Sequence, residues 1–519
     1  MKNIDFNEPI EYPKRSSTSN MMQNDLYAPS DTSHLSIRDV WQVEGSLDIT
    51  PLGAHEGDQK QSGAKITQEF FLFIPASLHV TNHTYSKEDF YQDRTNLLRF
   101  KTPQITLEEL LSHGNSSSPF TRIEELLGIP QNEEIEKSIN NELKLLANIV
   151  RSQFRDQMEE LLHNGKHVND AVLKLIESLK QVRLRLSQLE QEIEAREFPA
   201  RVLEHIHHVE EFISRSVQKI ALHSYLQFLD KGMKISALEE LAISEKRMRV
   251  EEYGEPKDYA SLNEEQKEEV LYRDGLLNKF ALSALLLSTK RSSFVQKYGQ
   301  LTASIAAGVA MSIYLGFFFW RGAFLIDSLW LLLLTTLVYV LKDRVKDTLK
   351  NLLQQHAGEW FDDFETEIIG PDGQKLGFIG EHFHLLDPAR LPEEIIRIRN
   401  QGPESLLAKV LRPETVLYYK KRIQLHIPKT GVLERRFDFH HLYRLNLSEF
   451  LKKASNAFEP SLLINPDDGS ITCEELPKVY HINLIIRTTW QRRESSDLLL
   501  ERFRLVVNRD GIMRIESIT

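Results

Sequence analysis

LTASIAAGVAMSIYLGFFFW (301–320), RGA (321–323) and FLIDSLWLLLLTTLVYVL (324–341) form the stretch on which the rest of the chain is read. Each apolar half is close to the ~20 residues a helix needs to cross a hydrocarbon core. A two-helix transmembrane hairpin is therefore expected at 299–341. Lys290, Arg291 and Lys297 precede it, Lys342, Arg344, Lys346 and Lys350 follow it, and only Arg321 lies between. An excess of Lys and Arg outside the hairpin puts both flanks in the cytoplasm. The expected location is a membrane, multi-pass, with both termini cytoplasmic. Asp327 falls near the interface, where a charge costs less than at the bilayer centre. Trp320, Trp330 and Tyr339 are available as interfacial anchors. Ser304, Gly308, Ser312 and Gly316 recur every fourth residue, a small-residue face for transmembrane helix packing. Lys342, Arg344, Lys346 and Lys350 would touch anionic lipid headgroups, at about 1 kcal/mol each.

The 519 residues suggest about three domains. A net charge of −11 argues against general nucleic-acid binding, which depends on neutralising phosphates. Cys473 is the single cysteine, so no internal disulfide framework forms, as in a reducing compartment. The first 33 residues contain no apolar signal-peptide core, so the hairpin itself would direct insertion.

Outward from the hairpin, the expected fold class is a multi-domain membrane protein. Residues 1–33 read as a disordered tail. Residues 34–114 read as a β-rich region, with strand patterns in VWQVEGSLDI (40–49) and ITQEFFLFIPASLHV (66–80). Thr106 is a helix cap, and the Ser-rich 115–119 marks a boundary. Residues 120–298 read as a mainly α-helical bundle with a coiled-coil hairpin. Val168, Val172, Leu175, Leu179, Val182, Leu186, Leu189 and Ile193 alternate spacings of four and three, the seam of a left-handed coiled coil. Ser261 and Glu264 suggest a capping box, and 276–298 leads toward the hairpin. Residues 342–365 form a juxtamembrane helix. Residues 366–519 form a C-terminal β-rich α+β domain, with strand patterns at 367–369, 376–385, 415–427, 437–447, 479–490, 498–507 and 513–518, and helices at 392–400 and 447–457.

Catalytic signatures are sparse. The chain has no GxxxxGK[ST] loop, no strand-to-helix GxGxxG and no GxSxG elbow. Cys473 lacks any nucleophile signature. His205 and His208 are three apart beside the apolar stripe of a helix, which favours packing over zinc ligation. His382 and His384 alternate along a strand and so share one face. With Asp387 close behind, and His440 or His441 in reserve, they are the candidate metal ligands. The Lys420-Lys421-Arg422, Arg435-Arg436 and Arg492-Arg493 runs read as solvated strand ends. No cofactor is implied. The function that follows is a membrane-anchored scaffold or sensor, binding rather than catalysing. Its partners are membrane lipid and either a second copy or another protein docked on the helical region. The alternatives are a pore-forming effector assembled through the hairpin and a membrane-tethered metal-dependent hydrolase using His382, His384 and Asp387.

Overall fold

The run FFLFI at 70–74 offers no side chain to water on either side of a strand, and the fold buries both of its faces. The computed structural model describes residues 34–49, 63–112, 114–164, 168–321, 329–360, 362–370, 373–401, 414–426, 438–466, 469–491 and 496–518. In chain order they form β1 (His34–Ile37), β2 (Gln42–Ile49), β3 (Gly63–Pro75), α1 (Lys87–Asp93), β4 (Arg94–Phe100), α2 (Leu107–Leu111), α3 (Pro119–Leu127), α4 (Glu133–Asn164) and α5 (Val168–Ala195). There follow α6 (Ala200–Asp230), α7 (Ser236–Glu252), α8 (Glu264–Leu282), β5 (Ser288–Ser293), α9 (Phe294–Arg321), α10 (Leu329–Trp360), β6 (Phe364–Ile369), β7 (Lys375–Leu386) and α11 (Glu393–Asn400). The chain ends in β8 (Glu414–His426), β9 (Phe439–Asn446), α12 (Ser448–Leu451), β10 (Phe458–Ile464), β11 (Ile471–Pro477), β12 (Tyr480–Gln491), β13 (Ser496–Asn508) and β14 (Gly511–Ser517).

Two compact units result. One takes in Met1–Leu97, Leu287–Gly431 and His441–Thr519, the other Leu98–Leu286 and Val432–His440. The first unit is built on an open, antiparallel eight-stranded sheet of order β14-β13-β12-β3-β8-β7-β6-β5. A second sheet has the order β1-β2-β9-β4, and β10 and β11 pair only with each other. β3 bonds β12 on one edge and β8 on the other; Phe71 faces Ile485 and Tyr418 in register. Phe70, Leu72 and Ile74 enter a core shared with Val43, Phe90 and Tyr443, while Phe71 and Phe73 enter a second core with Ile395 of α11.

The N-terminal β-rich stretch and the C-terminal β-rich α+β stretch therefore contribute strands to the same two sheets. The expected fold class set them apart because register between strands about four hundred residues apart leaves no local trace. The second unit is helical. All eight residues of the α5 stripe are buried. Ile139, Leu143, Leu146, Val150, Phe154 and Met158 of α4 are fully enclosed, and α4 packs chiefly on α6. The expected capping box at Ser261 forms instead on Asn263 and Gln266. The lead toward a membrane at 276–298 is replaced by the end of α8 and the edge strand β5, which pairs with β6.

The transmembrane hairpin is not supported. Among the described residues no helix is long and apolar enough to cross a membrane. In α9 the stretch 303–316 carries Ser304, Gly308, Ser312, Tyr314 and Gly316. The multi-pass location, the membrane-anchored scaffold or sensor, the pore and the lipid partnership lose their basis with it. The coiled-coil stripe is buried inside its own unit. The tail 1–33, the Gly322-Ala323 turn, Asp327, Arg435-Arg436 and Arg492-Arg493 lie outside the described residues.

β3 makes a direct test of the two-faced core. Phe71→Ala removes a ring that is 1% exposed, and an expected loss of about 3–5 kcal/mol is checked by denaturant unfolding of the full chain.

Candidate functional site

Strand alternation puts Glu381 and Phe383 of β7, and Tyr419 and Lys421 of β8, on the same face as Phe70 and Leu72. That face is apolar, so Glu381 (1% exposed) and Lys421 (0%) lie at positions where a charge is expensive. Glu381 is compensated. Arg94 and Asn96 of β4 donate to its carboxylate, and so does the Tyr419 hydroxyl. Asn96 Nδ2 also lies 2.9 Å from Tyr419 Oη. Burial, reinforced by the Glu381 charge, pushes the Tyr419 phenol far above its usual range.

Lys421 is held differently. Its Nζ is 3.2 Å from Nδ1 of His441, which is fully buried on β9. It lies 4.7 Å from the Tyr443 ring centre and 5.3 Å from that of Phe70. Burial pulls the ammonium well below its ordinary range, against the opposing charge of Glu381. Lys421, expected in a solvated strand end, is thus an interior amine. Its neighbour Arg422 is the exposed one, and pairs with Asp362.

Beside this network lies a cavity of about 60 Å³, lined by Val43, Phe70, Leu72, Phe90, Leu417, Leu484 and other apolar side chains. Three lining residues carry a buried polar atom with no hydrogen-bond partner among the described residues: Arg94 Nε, Asn96 Oδ1 and Tyr443 Oη. Tyr443 reaches its place because Gly45 of β2 has no side chain. A Cβ there would lie 1.9 Å from the phenol ring.

The sequence candidates are dispersed. His382 and His384 do share a face, with Nε2 and Nδ1 3.0 Å apart. Asp387 does not join them. Its carboxylate accepts from the Ala389 amide at 3.0 Å and starts a short 3-10 turn, Pro388–Arg390. His441 adjoins Lys421 on the opposite face of the sheet from His382. Among the described residues no three His, Cys, Asp or Glu side chains are placed to hold a metal ion, so the metal-dependent hydrolase is set aside. His205 and His208 instead pack on the ring of Phe280.

In α9, Ser304, Gly308, Ser312 and Gly316 are exposed, and a Cβ at either glycine would meet open space. The buried small residues there are Ala306 and Ala310. Lys342 lies over the Tyr339 ring and 3.5 Å from Asp343; Arg344, Lys346 and Lys350 follow along α10. Cys473 is exposed on β11.

What His382 does meet is Asp363, 3.6 Å away. Asp363 also accepts from Lys87 at 2.7 Å, the Tyr91 hydroxyl at 2.9 Å and the Phe383 amide at 2.8 Å. Burial raises this carboxyl, but His382, Lys87 and the Phe383 amide outweigh it and hold Asp363 below its ordinary value.

Comparison with family models, with curated proteins and with solved structures finds no match for this chain.

Two outcomes follow from these clusters. Glu381→Leu leaves Arg94 buried without its carboxylate, and a loss of about 3–5 kcal/mol is expected in equilibrium unfolding. For Asp363 the folded-state pKa lies below the unfolded one, so its contribution is complete above the ordinary value of 3.8 and fades as pH falls through the folded value. Asp363→Asn should lower the melting temperature at neutral pH. The gap from the parent protein should close as both are acidified below about pH 4, which a pH series of thermal melts would show.

Proposed function

We propose that the unit built on the eight-stranded sheet is a binding module for a small, mainly apolar organic molecule with one polar end. The observation that carries this is that three residues lining a mainly apolar cavity each carry a buried polar atom, Arg94 Nε, Asn96 Oδ1 and Tyr443 Oη, with no hydrogen-bond partner among the described residues. A donor, an acceptor and a hydroxyl able to act as either suit an alcohol or a carbonyl. Leaving such atoms unpaired costs about 1–3 kcal/mol each, which an occupant with a matching polar group would recover.

Size narrows the class. At ~10–15 Å³ for each water-sized group, about 60 Å³ accepts on the order of four to six non-hydrogen atoms. At a ceiling of about 1.5 kcal/mol per atom, such a ligand binds at micromolar strength at best. The module therefore suits a metabolite held at substantial concentration.

2-Methylpropan-1-ol matches that size and polarity. Titrated into the full chain, it should raise the melting temperature saturably. Tyr443→Phe removes a hydroxyl with no protein partner among the described residues, so it should leave the melting temperature of the ligand-free protein nearly unchanged. It should weaken the alcohol about tenfold, the equivalent of one lost hydrogen bond of ~1.4 kcal/mol. A non-saturating response shared by both proteins would end this proposal.

A further inference from the structure

Helix α8 of the helical unit is apolar on two sides. Leu277 and Ala281 are buried on the inner side. There Asn148 of α4 donates to the Ala281 carbonyl at 2.6 Å, and Arg273 donates to Glu211 of α6 at 2.8 Å. Leu271, Tyr272 and Leu276 lie on the outer side, 73%, 67% and 45% exposed. Packing within the unit explains the first set and not the second.

Glu268, Tyr272, Gly275 and Lys279 run along the middle of the outer side, at spacings of four, three and four. That is the 3.5-residue repeat of a coiled-coil seam. Leu271 and Leu276 flank it, and all six residues line one surface concavity. Gly275 is costly where it stands, since glycine weakens a helix interior relative to alanine. Its backbone is ordinary right-handed helix, and among the described residues a Cβ there would meet open space. A glycine at this point of the seam is explained by a second backbone that comes close to it.

We propose that α8 pairs antiparallel with α8 of a second copy of this chain. The order of charge along the seam makes it complementary to itself. Reversing one copy sets Glu268 of each against Lys279 of the other. The same register lays Tyr272 of each copy over Gly275 of the other and brings Leu271 beside Leu276, with both halves alike, as a two-fold axis requires. A parallel pair would instead oppose Glu268 to Glu268 and Lys279 to Lys279, which like-charge repulsion disfavours. A contact confined to one helix of 19 residues is small for a specific interface, so the dimer exchanges with monomer. This contact is independent of the ligand cavity in the other unit.

The test is sedimentation equilibrium of the full chain over a concentration series at low ionic strength, where exposed charge pairs are least screened. The parent should show a reversible monomer–dimer equilibrium. Gly275→Gln should raise the melting temperature at a concentration where the parent is monomeric, because the helix gains propensity, and yet weaken the dimer. Glu268→Lys and Lys279→Glu each replace two ion pairs by two like-charge contacts and should each weaken the dimer roughly tenfold. An equimolar mixture of these two variants should restore it, because each supplies the charge the other has lost. Damage to the fold of either variant would not be repaired by mixing. A parent chain that stays monomeric overturns the proposal and leaves this face to a different protein. A dimer indifferent to all three substitutions overturns it as well, since its seam then lies elsewhere. Loss in both charge variants without restoration on mixing overturns the antiparallel register.

Discussion

Everything in the first unit depends on the burial of β3 from both sides. Five consecutive apolar residues, Phe70 to Ile74, are removed from water, at roughly 1.5–3 kcal/mol each. A strand can be buried so completely only in the interior of a sheet with layers on both faces. β12 and β8 satisfy its backbone edges, the Val43 and Tyr443 side covers one face, and α11 covers the other. The partners come from the far end of the chain, with Phe71 opposite Ile485. Leu98–Leu286, the main part of the helical unit, thus falls in the chain between two strands of one sheet, β3 and β5. Such pairings are closed late and at a high cost in loop entropy. The long apolar run compensates for this by making the pairing, once formed, strongly favoured.

The same run explains what was legible. Apolar and β-branched patterning located β2, β3, β7, β8, β12, β13 and β14 within a few residues, because such patterning is a local property. The 3.5-period stripe of α5 is buried throughout for the same reason. What failed was non-local. FFLFI reads as a strand, but not as a strand between β12 and β8. The apolar text at 301–341 resembles a membrane hairpin in composition, yet among the described residues no helix is long and apolar enough to cross a membrane. α10 runs from Leu329 well beyond Lys342. Polar segments with little pattern were missed altogether. STKRSS of β5 becomes a strand because β6 offers an edge, β10 with β11 forms a hairpin where no strand was expected, and the helix expected at 447–457 is only the short α12, Ser448–Leu451.

At the site, alternation correctly set His382 and His384 side by side but drew attention to the wrong face. The informative signal was one residue away. Glu381 and Lys421 are charged residues at positions where the alternation of GFIGEHF and LYYKKRI demands an apolar side chain. A violation of the pattern on an inward face marks a buried network or a site. Arg94, Asn96 and Tyr443 could not have been added from sequence, since β4 and β9 reach the cluster only through the second sheet.

The helical unit shows why Lys421 stands apart from an ordinary interior charge. There Arg249 is 1% exposed, but it donates to Glu255 at 2.6 Å and to Ser214 at 2.7 Å. Glu211, also enclosed, accepts from Arg215 at 3.0 Å and Arg273 at 2.8 Å. Each of those charges meets an opposite charge, the arrangement that makes burial tolerable. The sheet follows this rule for Glu381 and departs from it for Lys421, which meets an imidazole and two rings. If packing alone were at stake, leucine or methionine at that position would fill the space without the desolvation cost. What the structure sets against that cost is the imidazole of His441 and the rings of Tyr443 and Phe70.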